Sequence, residues 1–226
     1  MGIFKKIFKK KKKPVYSIKG QNNKIFIIEN GEKIELENDV ISGLNIEIEG
    51  NNNVITLEKP FRFIDSRILI LKNDTVINIK KTKYSIVNTY IECIQPTGVQ
   101  ILNIGENVSI GGSKIYIYGN GAKCNIGVDC QFSDGVIIMT GDGHKITDNI
   151  TSKIINSGKN TVEIGNHVWL SRNVTVLKNV VIPNNCVIGT GSIVTKSPEQ
   201  KENCILAGTP AKIIKENITW DREENF

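Results

Sequence analysis

Two histidines are present in this 226-residue chain, and one of them, His144, stands where a general base could act. A histidine ring titrates close to neutral pH, so it can take a proton from a substrate hydroxyl group. His144 follows Asp142 and Gly143, residue types that are typical of a tight turn. The other histidine, His167, lies in a Gly-Asn-His tripeptide and is predicted to be structural or exposed to solvent. The residue types therefore favour His144 as the chemically active histidine.

A six-residue repeat predicts the scaffold that positions His144. This period matches neither the 3.6 residues of a helix nor the alternation of a half-buried strand. It is typical of a parallel β-helix, a prism in which every sixth side chain points inward. The repeat is interrupted over residues 140–161, so we expect this segment to leave the prism as a loop that carries His144. The apolar residues that recur at this interval are Ile164, Leu170, Val176, Ile182, Ile188 and Val194.

The strength of the repeat divides the chain into four predicted parts. Residues 101–197 form the hexapeptide β-helix with its loop. Residues 14–100 contain short β-rich runs separated by turn residues, which predicts an irregular continuation of the same solenoid. Residues 198–226 form a C-terminal extension that ends in a short helix near residues 216–224. Residues 1–13 form a basic tail.

The positive charge of the chain belongs to this tail. The formal net charge is +6, yet residues 1–13 hold seven lysines and no acid, and the rest carries 22 basic against 23 acidic residues. A neutral body argues against nucleic-acid binding. The apolar residues of the tail recur at helical spacing opposite the lysines, so it could lie on an anionic membrane surface. A disordered, solubilising tail is the alternative.

Cysteine usage and hydropathy point to a cytoplasmic protein, located either in solution or at the inner face of the membrane. The five cysteines are odd in number and contain no CxxC pair, which predicts free thiols in a reducing compartment. No apolar run approaches the ~18 residues that a membrane span needs, and the tail lacks the apolar core of a secretory signal.

Three motifs resemble the hexapeptide-repeat acyltransferases, which are left-handed β-helices. They are residues 164–170 (IGNHVWL), 187–196 (VIGTGSIVTK) and 207–214 (AGTPAKII). Asp-Gly-His at 142–144 and the ending at 217–222 (NITWDR) look most like the capsular and O-antigen polysaccharide O-acetyltransferases. The resemblance implies an all-β fold, a homotrimer with active sites between subunits, acetyl-CoA as co-substrate, a carbohydrate acceptor and no metal.

The resemblance also assigns roles to residues around the loop. His144 is the predicted general base that deprotonates a sugar hydroxyl, and Trp169 is the predicted catalytic aromatic residue, with packing of the loop as its alternative role. Substrate contacts are predicted for Asp142, Asn156 and Asp134. Asp142 could instead serve only the turn, and Asp134 stands where several relatives have an asparagine.

Acetyl-CoA carries phosphates, so its site needs backbone donors along a groove and cations at one end. The resemblance places the acetyl-CoA contacts at Arg172, Thr190, Lys196, Lys212 and Lys215. Each of the lysines could equally be an ordinary solvated charge. Lys212 and Lys215 stand where relatives often have arginine, and lysine lacks its bidentate geometry.

Other functions fit the sequence less well. A γ-class carbonic anhydrase shares the prism but needs three histidines around zinc, and this chain has two. An N-acetyltransferase of a nucleotide-activated amino sugar ranks second because no Gly-rich strand–turn–helix precedes the repeat. An antibiotic acetyltransferase ranks third. A non-catalytic β-helix scaffold would have no need for a histidine-bearing loop.

Overall fold

The computed structural model describes residues 16–37, 39–94, 98–198 and 201–223, which form 24 β-strands and no helix. The first eight strands are β1 (Tyr16–Lys19), β2 (Lys24–Glu29), β3 (Glu32–Glu35), β4 (Leu44–Glu49), β5 (Val54–Glu58), β6 (Arg62–Ile64), β7 (Ser66–Leu71) and β8 (Thr75–Ile79). The next eight are β9 (Ser85–Val87), β10 (Tyr90–Ile94), β11 (Gln100–Ile104), β12 (Ser109–Gly111), β13 (Lys114–Ile117), β14 (Lys123–Ile126), β15 (Gln131–Phe132) and β16 (Ile137–Met139). The last eight are β17 (Thr161–Ile164), β18 (Trp169–Leu170), β19 (Thr175–Val176), β20 (Val180–Ile182), β21 (Val187–Ile188), β22 (Ile193–Val194), β23 (Cys204–Gly208) and β24 (Ala211–Glu216).

The strands make three sheets of eight strands each, which are the sides of a triangular prism. Sheet A has the order β1-β4-β7-β10-β13-β16-β19-β22, sheet B β20-β17-β14-β11-β8-β5-β2-β3, and sheet C β24-β23-β21-β18-β15-β12-β9-β6. Apart from β3 and β24, successive strands of the chain therefore belong to different sheets, and each pairs in parallel with a strand one coil away. The terminal β2–β3 and β23–β24 pairs are antiparallel. This wound topology is the parallel β-helix that the six-residue period predicted.

Coil length differs between the two halves of the prism. Val162 pairs with Val180, eighteen positions further on, which is three hexapeptides. In the N-terminal half Ile46 pairs with Ile68, 22 positions on, and the strands there reach six residues. Because these sides are longer, the inward-pointing residues no longer recur at every sixth position. The hexapeptide period is therefore visible only in the second half.

Residues in the left-handed backbone region turn the corners. Asn173, Asn179 and Asn185 have φ of 57°, 61° and 58°, and they lie six residues apart at three successive corners. Asparagine is among the side chains that tolerate this region best. His167 has φ 53° and lies six residues before Asn173, so it occupies the same series of corner positions.

The interior is a continuous column of aliphatic side chains. Isoleucine, valine and leucine from all three sheets are almost completely buried in one cluster. The five cysteines are unpaired and buried in it. Burial raises the pKa of Cys93 and Cys186 to about 12, so both stay as thiols.

The predicted C-terminal helix is wrong. Residues 211–216 form β24, which returns along β23, and residues 217–223 continue as irregular chain. The reason is tertiary: Trp220 and Arg222 are held against the side of the prism, and those contacts outweigh local helix preference.

Candidate active site

The loop at residues 140–160 leaves the prism between sheets A and B and carries His144 at an exposed position. Inside it, Thr147 and Ile154 form an antiparallel bridge. The carboxylate of Asp148 accepts hydrogen bonds from the turn between them. The loop therefore has a defined internal structure that can present a side chain in a fixed position.

Asn156, near the end of this loop, binds the residues around His144 near its start. Its Nδ2 donates to the His144 carbonyl oxygen at 2.8 Å and to Oδ2 of Asp142 at 2.8 Å. Its Oδ1 accepts a hydrogen bond from the Ile146 backbone N–H at 2.8 Å. One side-chain amide thus holds the backbone at and after the histidine and the carboxylate of Asp142 before it.

Lys178 connects the start and the end of the loop to the next coil. It lies at the corner between β19 and β20, its side chain is 16% exposed, and its Nζ is 2.6 Å from Asp142 Oδ2. It also donates to the Asn156 carbonyl oxygen. The hydrogen bond from Lys178, with a second from Asn156, holds the pKa of Asp142 below its usual range. Sequence reasoning missed Lys178, because a lysine at an ordinary corner gives no signal of its contact with a loop.

The structure therefore gives Asp142 and Asn156 a positioning role toward His144, and their contact with a substrate stays a prediction. Within residues 16–37, 39–94, 98–198 and 201–223, the His144 ring makes no hydrogen bond, ion pair or ring contact. Its backbone is fixed while its imidazole is free to meet a reactant, which is the arrangement that a general base requires.

Trp169 lies on the outer face of sheet C, half-buried, with Nε1 donating to Ser133 Oγ at 3.3 Å. Asp134 follows Ser133 at the corner between sheets C and A, where it is exposed and its carbonyl oxygen accepts the N–H of Asn173 at 3.0 Å. His144 is at the corner between sheets A and B. One chain therefore does not bring His144 together with Trp169 and Asp134.

The predicted acetyl-CoA contacts fall into two groups. Arg172 and Thr190 are exposed one coil apart at the corner between sheets C and A, and Lys212 lies beside the same corner, opposite Ala207 in β23. Lys196 follows β22 at a different corner, and Lys215 lies toward the other end of β24. The first group lies on the same corner as Asp134.

Comparison with known proteins decides which family the chain belongs to. It is 35% identical over 209 residues to a polysialic acid O-acetyltransferase of Neisseria meningitidis, covering 92% of this chain and 90% of the relative. It is 42% identical over 132 residues to a polysialic acid O-acetyltransferase of Escherichia coli O1:K1, covering 53% of this chain and 42% of the relative. The chain belongs to the hexapeptide-repeat acetyltransferases.

Solved structures agree with this assignment. The polySia-specific acetyltransferase NeuO superposes with a TM-score of 0.77 at 28% identity, over 93% of this chain and 89% of that one. The polysialic acid O-acetyltransferase OatWY superposes with a TM-score of 0.67 at 31% identity, over 93% and 92%. These neighbours are left-handed β-helices, and the predicted left-handed prism is confirmed. No protein-family model matches the sequence.

A C-terminal strap runs back along one corner of this acetyltransferase. We use this name for residues 217–223, which follow β24 and cross the coils toward the N-terminal end. Arg222 donates from Nη1 to Gln131 Oε1 at 2.9 Å and from Nε to Asp129 Oδ1 at 3.2 Å. Its Nη2 also donates to backbone carbonyls of two coils, and its guanidinium lies 4.2 Å from the centre of the Tyr84 ring. The strap is therefore firmly anchored.

His167 holds the middle of the strap. Its ring stacks on Trp220, with centroids 4.0 Å apart and planes 12° apart. Its Nδ1 is 2.7 Å from Asp129 Oδ2, and its Nε2 is 2.8 Å from the Trp220 carbonyl oxygen. Trp220 Nε1 in turn donates to the His167 carbonyl oxygen at 2.9 Å. Both ring nitrogens of His167 are engaged, so this acetyltransferase does not present it to a reactant.

The described part of the chain also bears on metal binding and on membrane insertion. No cluster of His, Cys, Asp and Glu there has the composition to hold a metal ion. None of its segments is a helix with the length and hydropathy needed to cross a membrane.

Proposed function

We propose that the protein transfers acetyl groups from acetyl-CoA to hydroxyl groups of an acidic surface polysaccharide of the polysialic acid type, with His144 as general base. The His144 ring carries this proposal, since it is exposed on a backbone held by Asn156, Asp142 and Lys178. The acceptor class is supported by relatives named for polysialic acid, one of which matches along 92% of this chain.

In the proposed reaction, His144 removes the proton of an acceptor hydroxyl as its oxygen attacks the thioester carbonyl. The carbon–sulfur bond breaks, the acetyl group stays on the acceptor oxygen, and coenzyme A leaves as the thiol with the proton returned by the imidazolium. One base, which first accepts the proton and then returns it, is sufficient for this direct transfer.

Arg172, Thr190 and Lys212 suit the donor end of this site. Two cations beside one corner can pair with the phosphates of coenzyme A, and the Gly-Thr-Gly turn at 189–191 gives access to backbone donors. Lys196 and Lys215 lie apart from these three, so a contact from either to the same donor would come from another subunit.

We propose a homotrimer because His144 and the sheet C residues lie at different corners of one prism. A neighbouring subunit that places its 140–160 loop beside Trp169 and Asp134 would complete the site. Each subunit would then contribute its base to one site and its aromatic residue to another.

The test is transfer of radiolabelled acetyl from acetyl-CoA to purified polysialic acid, with a neutral polysaccharide and an amino-sugar nucleotide as parallel acceptors. We expect label in the acidic polymer, and its release by mild base shows an ester. Label only in the amino sugar, stable to base, would overturn the O-acetyl assignment. Sedimentation of the same protein should give a trimer, and a monomer that is fully active would overturn the shared site.

The basic tail, which lies outside the residues that the structure describes, leads to a separate proposal, that the enzyme is cytoplasmic and that residues 1–13 hold it at the inner face of the membrane. Flotation with vesicles of anionic lipid should retain the full chain, and a variant that lacks residues 1–13 should stay in solution. Equal retention of the two proteins would refute the proposal.

A further inference from the structure

We propose that the C-terminal strap is a positioning element of the active site, in which Trp220, held by His167, sets the position of the Trp169 indole toward the acceptor. This inference rests on the proposed function, since Trp169 belongs to the predicted catalytic group. It gives a positioning role to Trp220, for which the sequence alone predicted none, and to His167, which was predicted to be structural or exposed to solvent.

The Trp169 indole is held from two directions. Its Nε1 donates to Ser133 Oγ at 3.3 Å, and its ring faces Trp220 with centroids 5.9 Å apart and planes at 43°. Trp220 is 9% exposed, so it supports Trp169 from behind and offers little surface of its own to a ligand. Aromatic pairs at this separation have a defined relative orientation. Removing Trp220 would leave Trp169 with a hydrogen bond on one side and a void on the other.

Three contacts with His167 fix the position of Trp220. The two rings stack, Trp220 Nε1 donates to the His167 carbonyl oxygen, and His167 Nε2 contacts the Trp220 carbonyl oxygen. Asp129 fixes the other side of the imidazole at 2.7 Å. Direct contacts therefore run without a break from Asp129 through His167 and Trp220 to Trp169, the predicted catalytic aromatic residue.

The corner that His167 occupies does not need a histidine. Asn107 and Asn185 turn equivalent corners between sheets B and C with φ of 57° and 58°, and Asn203, with φ of 57°, leads into β23 of sheet C. Asparagine at position 167 would satisfy the backbone and would lose the stack on Trp220. The presence of an imidazole at this one corner is explained by its contacts with the strap.

Arg222 anchors the strap next to the same site. It donates to Gln131, whose register partner on sheet C is Trp169. Its far contact is the ring of Tyr84, two coils from the Gln131 strand. The strap therefore has an end that faces Trp169 and an end that does not, and the two ends can be tested separately.

The kinetic test compares Trp220→Ala, Trp220→Phe and His167→Asn with Tyr84→Leu as the matched control. His167→Asn keeps a residue suited to the left-handed backbone, and Tyr84→Leu weakens the strap at its distant end. We expect Trp220→Ala and His167→Asn to lower kcat/KM for the polymer about tenfold, with a smaller loss in Trp220→Phe, which keeps an aromatic ring. Acetyl-CoA affinity in calorimetry should stay within about twofold, and Tyr84→Leu should keep the parental kinetics.

A spectroscopic readout follows the position of Trp169 without any turnover. The chain has two tryptophans, so Trp220→Phe and Trp220→Ala each leave Trp169 as the only tryptophan, which can be excited selectively over the tyrosines. We expect Trp169 in Trp220→Ala to emit at longer wavelength and to be quenched more strongly by acrylamide than in Trp220→Phe. Adding His167→Asn to Trp220→Phe should shift it in the same direction.

Each result decides a separate question. If Trp220→Ala and His167→Asn lower only the melting temperature, while polymer kinetics and Trp169 quenching stay unchanged, the strap is structural and the inference is overturned. If the parental protein binds acetyl-CoA but acetylates no polymer, the proposed function fails, and the fluorescence comparison still tests the positioning of Trp169. If Trp220→Ala does not fold, His167→Asn supplies the kinetics, and the double variant of Trp220→Phe and His167→Asn supplies the fluorescence.

Discussion

The 140–160 loop and the C-terminal strap treat the two histidines of the chain in opposite ways. The loop fixes the backbone of His144 through Asn156 and leaves its ring exposed. At His167, Asp129 of the prism and Trp220 of the strap engage the two ring nitrogens, and Trp220 also donates to the backbone carbonyl oxygen. The same residue type thus presents an exposed ring in one region and serves as a structural connector in the other. The difference lies in whether the neighbours hold the ring, and residue type alone does not show it.

The largest expected effect separates the two histidines by activity. His144→Ala should lower kcat for acetyl transfer by about 10²–10⁴-fold, because it removes the general base, and should leave the melting temperature almost unchanged. Steady-state kinetics and a thermal melt check this. If a loss of that size appears in His167→Asn and not in His144→Ala, the roles assigned to the two histidines are reversed.

The next effect concerns stability at the strap. Arg222→Ala should lower the free energy of unfolding by about 2–4 kcal/mol, because it removes charge-assisted hydrogen bonds and leaves Asp129 with one partner fewer. Urea unfolding at one fixed protein concentration measures it. Lys145→Ala, an exposed change in the loop, serves as control and should alter stability by less than about 0.5 kcal/mol. Equal stability in the two variants would mean that the strap contacts contribute nothing.

A smaller effect tests the hydrogen bonds by which Asn156 holds the backbone at His144. Asn156→Ala should lower kcat about tenfold, because the His144 carbonyl and the Ile146 N–H lose their partner and the base is less well placed. Asn149→Ala, in the exposed turn of the same loop, should keep the parental kcat. Kinetics at saturating acetyl-CoA make the comparison. Equal kcat in the two variants would show that the loop positions His144 without Asn156.

The smallest effect is the pH dependence of the stability that Asp142 contributes at the start of the loop. Lys178 and Asn156 lower the folded-state pKa of Asp142, so its ionised form stabilises the fold above the unfolded-state pKa of about 4, and this contribution is lost as pH falls through the lower folded value. The stability difference between the parental protein and Asp142→Asn should therefore be constant from pH 8 to about pH 5 and should shrink below about pH 4. It should not exceed about 1 kcal/mol, because the carboxylate is 41% exposed. Thermal melts across this range measure it, and a difference that grows on acidification would contradict the assigned direction.

The sequence predicted the second half of the prism more closely than the first for a geometric reason. Where a coil has eighteen residues, as from Val162 to Val180, each side contributes one hexapeptide and the period is visible. Where sides are longer, as from Ile46 to Ile68, the inward residues still alternate within a strand but lose their common interval. The loop could be predicted as an interruption, since no inward-pointing series passes through it.

Contacts between distant segments could not be predicted in the same way. Lys178 meets Asp142 across 36 positions, and Arg222 meets Asp129 across 93. Nothing local marks these pairs. The helix expected near residues 216–224 failed for this reason, because Trp220 and Arg222 follow the surface of the prism instead of a helical repeat. The roles predicted for His144, Trp169 and the acetyl-CoA contacts stay predictions.

The two antiparallel strand pairs have a consequence for how molecules meet one another. A stack of parallel coils resembles a segment cut from a fibril, and an open end could recruit the end of a second molecule and grow. In sheet B, β3 folds back over β2 and presents a short, highly charged edge of two glutamates and a lysine around one isoleucine. In sheet C, β24 does the same over β23 with Lys212, Lys215 and Glu216. Reversed, charged terminal strands therefore discourage the end-to-end pairing of one prism with another.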